Sequence, residues 1–198
     1  MMAKRMFDWL ASTLGLLVLA PVFLSLALWI KLDSPGPIFF KQDRIGRGGN
    51  LFRIYKFRTM VTDAENLGLL ITVGADLRVT KAGRWLRNCK LDELPQLLNV
   101  WLGHMSLVGP RPEVPLYVEC YPAEIRDLVL SVRPGITDIA SIEFKDENYI
   151  LGLAQDPHRA YIEEVLPIKL RHCMEYVRKQ SMLGDLMIIF RTLRVLLK

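Results

Sequence analysis

The sequence predicts a mostly helical α+β protein with a membrane-embedded helix at its N-terminus, and three observations carry that reading. From Trp9 to Ile30 no residue is charged, and a bilayer crossing takes about 20 such residues. Apolar residues recur at helical spacing at Leu94, Leu97, Leu98 and Trp101, and again at Leu186, Ile189, Phe190, Leu193 and Leu197. Only short stretches read as strands: residues 38–40, 51–58, the start of 105–112 and a strand-like piece within 133–137. The chain therefore divides into residues 1–32, a membrane helix with basic flanks, and residues 33–198, a compact domain at the membrane surface with a few short strands and amphipathic helices at the interface.

At 198 residues the chain suits one domain plus a short appendage. Apolar residues make up 51% and mean hydropathy is +0.21, yet 24% of residues are charged, so the apolar excess is concentrated, and it lies near the N-terminus. A net charge of +5 points to an anionic partner: nucleic acid, anionic lipid headgroups or a phosphorylated substrate. Nucleic acid is disfavoured, because the cations are not interleaved with aromatics in a recognition motif. Cys89, Cys120 and Cys173 are odd in number and irregular in spacing, which argues against a disulfide framework or a zinc site and suits a reducing cytoplasm.

Along the membrane segment, Pro21 breaks a backbone hydrogen bond in mid-helix. Both flanks are basic, with Lys4 and Arg5 on one side and Lys31, Lys41, Arg44 and Arg47 on the other. The positive-inside preference is best met if both ends stay cytoplasmic and the helix bends at Pro21. A straight spanning helix and a re-entrant one both fit the composition.

Asp33-Ser34-Pro35-Gly36-Pro37 is a turn cluster that ends the membrane segment. A short strand over 38–40, a hairpin turn at Arg47-Gly48-Gly49-Asn50 and a strand over 51–58 follow, the last with Arg53, Lys56 and Arg58 as its basic residues. Residues 61–79, with Gly68, Gly74 and Asp76, read as a loop. Helical pattern resumes over 81–87, where Arg84 and Arg87 share a face. A helix from Leu91 carries core leucines and stops at Gly103. Residues 105–112 are a buried strand entering a rigid loop, in which prolines on both sides of Arg111 fix its guanidinium. Residues 114–132 are helical with an interruption at Tyr121-Pro122, 133–137 a turn and strand-like piece, and 146–148 a loop. Residues 161–176 form a helix, and 182–198 a basic amphipathic helix for a bilayer surface or partner, or else a cover for the core.

The candidate site is Asp92-Glu93. Two adjacent carboxylates stand there among Arg84, Arg87, Lys90 and Arg111, and Pro95 suits the first turn of a helix, whose dipole attracts anions. An isolated Asp-Glu-x-Pro is more often a helix start than a catalytic pair, so the cations around it carry the functional reading. A fixed arginine at 111 suits bidentate phosphate recognition.

Five motifs in order resemble one family: KLDSPGP at 31–37, YKFRTM at 55–60, LDELPQLLNV at 91–100, the stretch from Met105 to Glu113, and RPGIT at 133–137. Together they cover most of the chain and are similar to the monotopic phosphoglycosyl transferases, the bacterial sugar transferase family. The resemblance implies an enzyme of the cytoplasmic face of the bacterial inner membrane that passes a phosphosugar from a UDP-sugar to polyprenol phosphate. It implies Asp92 as nucleophile, a covalent phosphosugar intermediate, Mg2+ held by Glu93 with Asp92, and phosphate contacts from Lys56, Arg87 and Arg111, with Arg58, Arg84 and Pro112 beside them. It also implies a re-entrant helix bent at a Ser-Pro pair; here Ala20 precedes Pro21, and the bend is expected to rest on Pro21 alone. Asp138 stands where many members have glycine, so the sugar is the least transferable expectation. A homodimer is left open. Two rival readings remain beside this one: a non-enzymatic basic membrane adaptor, and a transferase in which the lipid phosphate attacks directly and Asp92 only ligates metal.

Overall fold

The computed structural model describes residues 2–62, 64, 76–144 and 147–196, and opens on two helices, α1 (Met2–Val18) and α2 (Ala20–Asp33), bent by 61° where they meet. Pro21 lies in the first turn of α2, where its missing N–H is tolerated. The change of direction is taken up at Leu19 (φ −87°, ψ 2°), two residues before the proline on which the bend was expected, with Ala20 already helical. Among the described residues no single helix is long and apolar enough to cross a membrane.

Both ends of this pair are fastened to the same domain. Near the start of α1, Lys4 Nζ donates to the Val108 carbonyl at 3.0 Å and pairs with Asp185, Arg5 donates to the Val100 carbonyl at 2.7 Å, and Asp8 accepts from the Leu107 N–H at 3.1 Å. At the end of α2, Asp33 accepts from the Ala82 N–H at 3.0 Å, and Arg58 donates to the Ser34 carbonyl (2.6 Å) and hydroxyl (2.8 Å). The outward side is apolar, with Met6, Leu10, Leu14, Leu17, Leu24 and Leu28 all more than half exposed.

Strands β1 (Phe39–Ile45) and β2 (Leu51–Phe57) pair antiparallel from Phe39↔Phe57 to Ile45↔Leu51 across a 3-10 turn at Arg47–Gly49. Gly48 and Gly49 take φ of 71° and 79°, which other residues adopt only with strain. β1 runs well past the predicted 38–40, because its polar residues 41–44 are held by pairing with β2 rather than by apolar alternation. The predicted loop over 61–79 lies largely outside the described residues, Gly68 and Gly74 included. Helix α3 (Lys81–Asn88) starts with Thr80 capping the Gly83 N–H at 3.0 Å. Gly83 abuts the Thr59 backbone so closely that a Cβ would sit 2.0 Å from the Thr59 carbonyl oxygen.

Helix α4 (Gln96–Leu102) ends at Gly103, φ 89°. Its buried side is not the leucine side: Gln96, Asn99 and Val100 are buried, while Leu94, Leu97 and Leu98 are half-buried and Trp101 is largely exposed. The leucine spacing was helical, but Leu97 serves the seam with α1, where it packs on Gly15, and Asn99 supplies the contact with the hairpin.

β3 (Ser106–Val108) and β4 (Gly135–Thr137) pair in parallel. Helices α5 (Pro115–Glu119) and α6 (Ala123–Val129) flank Tyr121-Pro122; α7 (Ile139–Glu143), α8 (Glu147–Gly152) and α9 (Pro157–Ala160) are short. Glu147 begins α8 rather than the predicted loop, of which Asp146 lies outside the described residues. A π turn at Tyr161–Val165 leads into α10 (Leu166–Lys179), followed by α11 (Met182–Leu196). The main core joins Val118, Val129, Leu151, Val165, Leu166 and Leu170; a second joins α2 to the sheet and α3 through Leu26, Ile30, Phe57 and Leu86. On α11, Asp185 and Ile188 face inward and Ile189, half-buried, packs with Ile188 on the cluster of Val108 and Tyr176, while Leu186, Phe190 and Leu193 remain exposed, so the predicted apolar side covers the core only in part; Leu197 lies outside the described residues.

Arg58 accordingly ties α2 to the domain. It is 4% exposed, and its Nη2 serves the end of α2 while Nε and Nη1 are buried without a hydrogen-bond partner among the described residues. Replacing it by Met keeps volume but leaves these acceptors unpaired, at about 2–4 kcal/mol. Arg58→Met should lower the melting midpoint in detergent by roughly 5 °C or more, with no change if the guanidinium is idle.

Candidate active site

Asp92 and Glu93 occupy a 3-10 turn, Leu91–Glu93, between α3 and α4. Lys90 ahead of them has φ 55°, a left-handed conformation that costs a non-glycine residue roughly 1–2 kcal/mol and turns the chain sharply into the pair. The acidic residues precede α4 by a turn, since Pro95 stands just before Gln96. Side-chain cations, not the dipole of this seven-residue helix, supply the positive field.

The two carboxylates meet different surroundings. Glu93 is held on three sides: Lys56 Nζ donates to Oε1 at 2.8 Å, and Arg111 grips it bidentately, Nη1 to Oε2 at 3.1 Å and Nη2 to Oε1. Burial pushes its pKa up, but Arg111 and Lys56 outweigh burial and hold it well below the usual carboxylate range. Asp92 is 9% exposed, and among the described residues nothing donates a hydrogen bond to its carboxylate. Burial raises its pKa; Lys56 opposes the rise and the neighbouring charge of Glu93 adds to it. A pair of titratable groups pushed apart in this way separates into two roles.

Local structure fixes each cation. Lys56 lies on β2, whose edge is gripped by Asn99: the Tyr55 N–H donates to Asn99 Oδ1 at 2.9 Å and Asn99 Nδ2 donates to the Arg53 carbonyl at 2.7 Å. Arg111 is set by its flanking prolines: the Gly135 N–H donates to the Pro110 carbonyl at 2.9 Å, Arg44 donates to the Pro112 carbonyl at 3.1 Å, and the Arg111 N–H reaches Asp138 Oδ2 at 3.3 Å. Pro112 is thus a buried support for the loop. Arg87 donates to Thr59 Oγ1 at 2.8 Å, and its charge acts on Asp92. Arg84 lies exposed on α3 and Arg58 is turned away to α2, so the structure brings Lys56, Arg87 and Arg111 to the acidic pair and leaves those two outside it.

A second ionic cluster, not anticipated from the sequence, backs Arg111. Glu113 accepts from the Tyr161 hydroxyl at 2.5 Å and lies 3.5 Å from Lys169 and 3.7 Å from Arg44; Lys169 also meets Glu147 at 2.8 Å. Burial raises the Glu113 pKa, but Lys169 and Arg44 bring it below the ordinary value. Glu113 closes the motif that contains Arg111, yet Tyr161 and Lys169 stand some 50 residues away in an apolar helical pattern, and only the tertiary fold joins them.

A divalent cation fits this site in a limited way. Among the described residues no group of three or more His, Cys, Asp or Glu side chains converges. Mg2+, however, is commonly held by one or two carboxylates with phosphate oxygens and water completing its shell. Of about four acceptor positions on a carboxylate, Glu93 has spent two on Oε1 and one on Oε2, so Oε2 keeps a position, and Asp92 keeps all of its own.

A carboxylate free of donors inside a fixed ring of cations defines, as a class, an enzyme that works on a phosphate-bearing substrate. The whole chain, residues 1–198, matches the bacterial sugar transferase family, and the protein belongs to it. Over 197 residues it is 41% identical to the exopolysaccharide production protein PSS of Rhizobium leguminosarum bv. phaseoli, covering 96% of this chain and 92% of that protein. Over 196 residues it is 38% identical to the UDP-N-acetylgalactosamine-undecaprenyl-phosphate N-acetylgalactosaminephosphotransferase of Aeromonas hydrophila, with 98% of this chain but 43% of that protein aligned. The UDP-glucose:undecaprenyl-phosphate glucose-1-phosphate transferase of Escherichia coli K12 is 38% identical over 192 residues, 96% of this chain and 39% of its own length. The chain thus spans less than half of the last two relatives.

Proposed function

We propose that this protein transfers a sugar 1-phosphate from a UDP-sugar to undecaprenyl phosphate through a covalent aspartyl-phosphosugar, releasing UMP, as the first membrane step of glycoconjugate or polysaccharide assembly. The observation that carries the proposal is the asymmetry of the acidic pair, with Glu93 gripped by Lys56 and Arg111 through three hydrogen bonds and Asp92 unbonded beside them. The relatives' names, which specify UDP-sugars and undecaprenyl phosphate, supply the substrate class.

In the first step an Asp92 carboxylate oxygen attacks the phosphorus that bears the sugar. The Asp92 O–P bond forms, the pyrophosphate P–O bond breaks, and its electron pair leaves with UMP. In the second a phosphate oxygen of undecaprenyl phosphate attacks the same phosphorus and releases the Asp92 carboxylate. Lys56 and Arg111, already fixed beside Asp92 by their contacts with Glu93, would stabilise charge that develops on the phosphate oxygens with little reorganisation. Mg2+ held by Glu93 and Asp92 would supply further charge neutralisation on the pyrophosphate. In the direct-attack alternative Asp92 would serve the metal alone, and a phosphosugar adduct formed in the absence of lipid separates the two routes. Purified protein given a UDP-sugar, undecaprenyl phosphate and Mg2+ should release UMP and stop on addition of EDTA. Release of UDP instead would mean that sugar moves without its phosphate and would overturn the proposal.

The bent α1–α2 pair would enter and leave the cytoplasmic leaflet of the bacterial inner membrane from one side. Its support is that both ends hold the same domain while its outer side is apolar; each leucine moved from water into lipid gains roughly 1.5–3 kcal/mol. Cysteines placed at residue 3 and at Lys41, in a variant without Cys89 and Cys120, should label from the same side in inverted vesicles. Labelling from opposite sides would establish a spanning helix.

A further inference from the structure

Away from Asp92, the start of α1, the β1–β2 turn, the start of β3 and the α10–α11 turn enclose a cleft of about 170 Å³. At roughly 30 Å³ per water, it holds about five waters or one phosphate-sized group. Four cations line it, Lys4, Arg5, Arg47 and Arg133, against the single carboxylate of Asp8. Lys4 is balanced by Asp185, but the arginines have little anionic company. Arg47 and Arg133 engage only their Nε atoms, on the carbonyls of Ser131 (3.0 Å) and Gly103 (2.9 Å). Among the described residues their terminal amino groups bond to nothing, and a neutral carbonyl does not cancel a charge. Burial lowers the pKa of Arg133, and Arg5 and Arg47 lower it further, as like charges crowded together do. Ser106 lines the same cleft, is 1% exposed, and its hydroxyl has no hydrogen-bond partner. A buried hydroxyl without a partner costs about 1–3 kcal/mol, a cost that an anionic oxygen would remove.

The geometry points to this cleft as a binding site for the phosphate of an anionic phospholipid headgroup, with the acyl chains on the exposed apolar sides of α1 and α11. The source of the phosphate follows from the rim: Met182 lines the cleft, and Met2 and Leu183 beside it are 88% and 69% exposed. A free phosphate would leave that rim in water. The site shares no residue with the Asp92 centre and lies at the other end of α4, whose seven residues span about 10 Å. Only the lipid source rests on the membrane reading above; the anion site itself does not.

The test uses the detergent-solubilised full chain and short-chain dihexanoyl phosphatidylglycerol, with dihexanoyl phosphatidylcholine and inorganic phosphate as comparison probes, read by thermal melting. Phosphatidylglycerol should raise the wild-type midpoint by about 3 °C or more at saturation, and the other two by clearly less. Arg47→Glu, on the exposed turn, should lose the shift; Arg53→Glu, the same charge change on β2 outside the cleft, should retain it. Arg47→Gln repeats the test if the glutamate variant fails to fold. An equal shift with inorganic phosphate would reveal a free-anion site, and an equal shift with phosphatidylcholine a headgroup-blind apolar effect; either overturns the lipid assignment, as does a shift that survives in the Arg47 variants. Flotation of wild type with phosphatidylcholine vesicles separately reports docking, so failure of the membrane reading is distinguishable from failure of the cleft.

Discussion

Asp92→Asn should abolish covalent labelling and reduce turnover by at least about 10⁴-fold, on the scale seen when a nucleophile is removed, while leaving the protein as stable as before or slightly more so. Asparagine has the same shape, so packing is kept, and among the described residues the carboxylate has no donors whose bonds would be lost. The sign of the stability change follows from linkage. Burial raises the folded-state pKa of Asp92 above its unfolded value, so the folded protein binds the proton more tightly, and ionisation of Asp92 costs stability as pH rises through the window between the two values. Removing the ionisable group removes that cost. A residue present for structure would show the reverse, a loss of stability with activity partly kept. The measurement is intact-protein mass after incubation with UDP-sugar and Mg2+ without lipid. Wild type should gain one phosphosugar and Asp92→Asn none; an active wild type that carries no adduct would exclude the covalent route. Because the attacking form is the carboxylate, wild-type activity should also fall on acidification at a higher pH than an ordinary aspartate would give.

The residues that proved easiest to read from the sequence were those whose chemistry is local. An uncharged run announces a membrane-length helical segment, though the proline inside it leaves straight and bent forms equally open, and the glycines of the hairpin turn announce a hairpin, because each follows from a few neighbouring dihedrals and side chains. Asp92, Glu93 and Arg111 stood out because acids next to fixed cations are an unusual local pattern. What local pattern could not decide was the direction a side chain takes in three dimensions. Lys56 and Arg58 sit two apart on a strand that alternation would place on one face; the first reaches Glu93, while the second, just past the end of β2, is drawn to the carbonyls at the end of α2. Arg84 and Arg87 share a helical face by spacing, yet only Arg87 comes near the pair. The leucines at 94–98 kept their helical period but gave only part of the inside: Leu94 packs on the cluster of Phe57 and Leu86, whereas Leu97 closes the seam with α1 and Asn99, not a leucine, satisfies the β2 backbone. The Glu113, Tyr161 and Lys169 cluster had no sequence signal, since its members come from elements with unrelated patterns.

Glu93→Gln should damage stability and catalysis together, with a pH signature that separates the two. Glu93 lies between Lys56 and Arg111, whose side chains keep 19% and 31% of their exposure. Leaving two buried cations without their counterion costs about 3–5 kcal/mol; the residual exposure of these groups reduces that to about 2 kcal/mol, a fall in melting midpoint of roughly 4–8 °C at neutral pH. Arg111 and Lys56 hold the folded-state pKa of Glu93 well below the ordinary value. Its contribution is therefore present above the unfolded value, about 4.3, and is lost as pH falls through the folded one, so the gap between wild type and variant should close in acid. Catalysis responds through Asp92. The charge of Glu93 raises the Asp92 pKa and Lys56 lowers it; without Glu93, Lys56 and Arg111 are free to pair with Asp92, stabilising its carboxylate and making it a poorer nucleophile. The residual activity of Glu93→Gln should thus fall off at lower pH than that of wild type and need more Mg2+ for half-saturation. Unchanged melting with an unmoved acid limb would show that Glu93 neither holds the two cations nor sets the environment of Asp92, and the division of labour within the pair would fail.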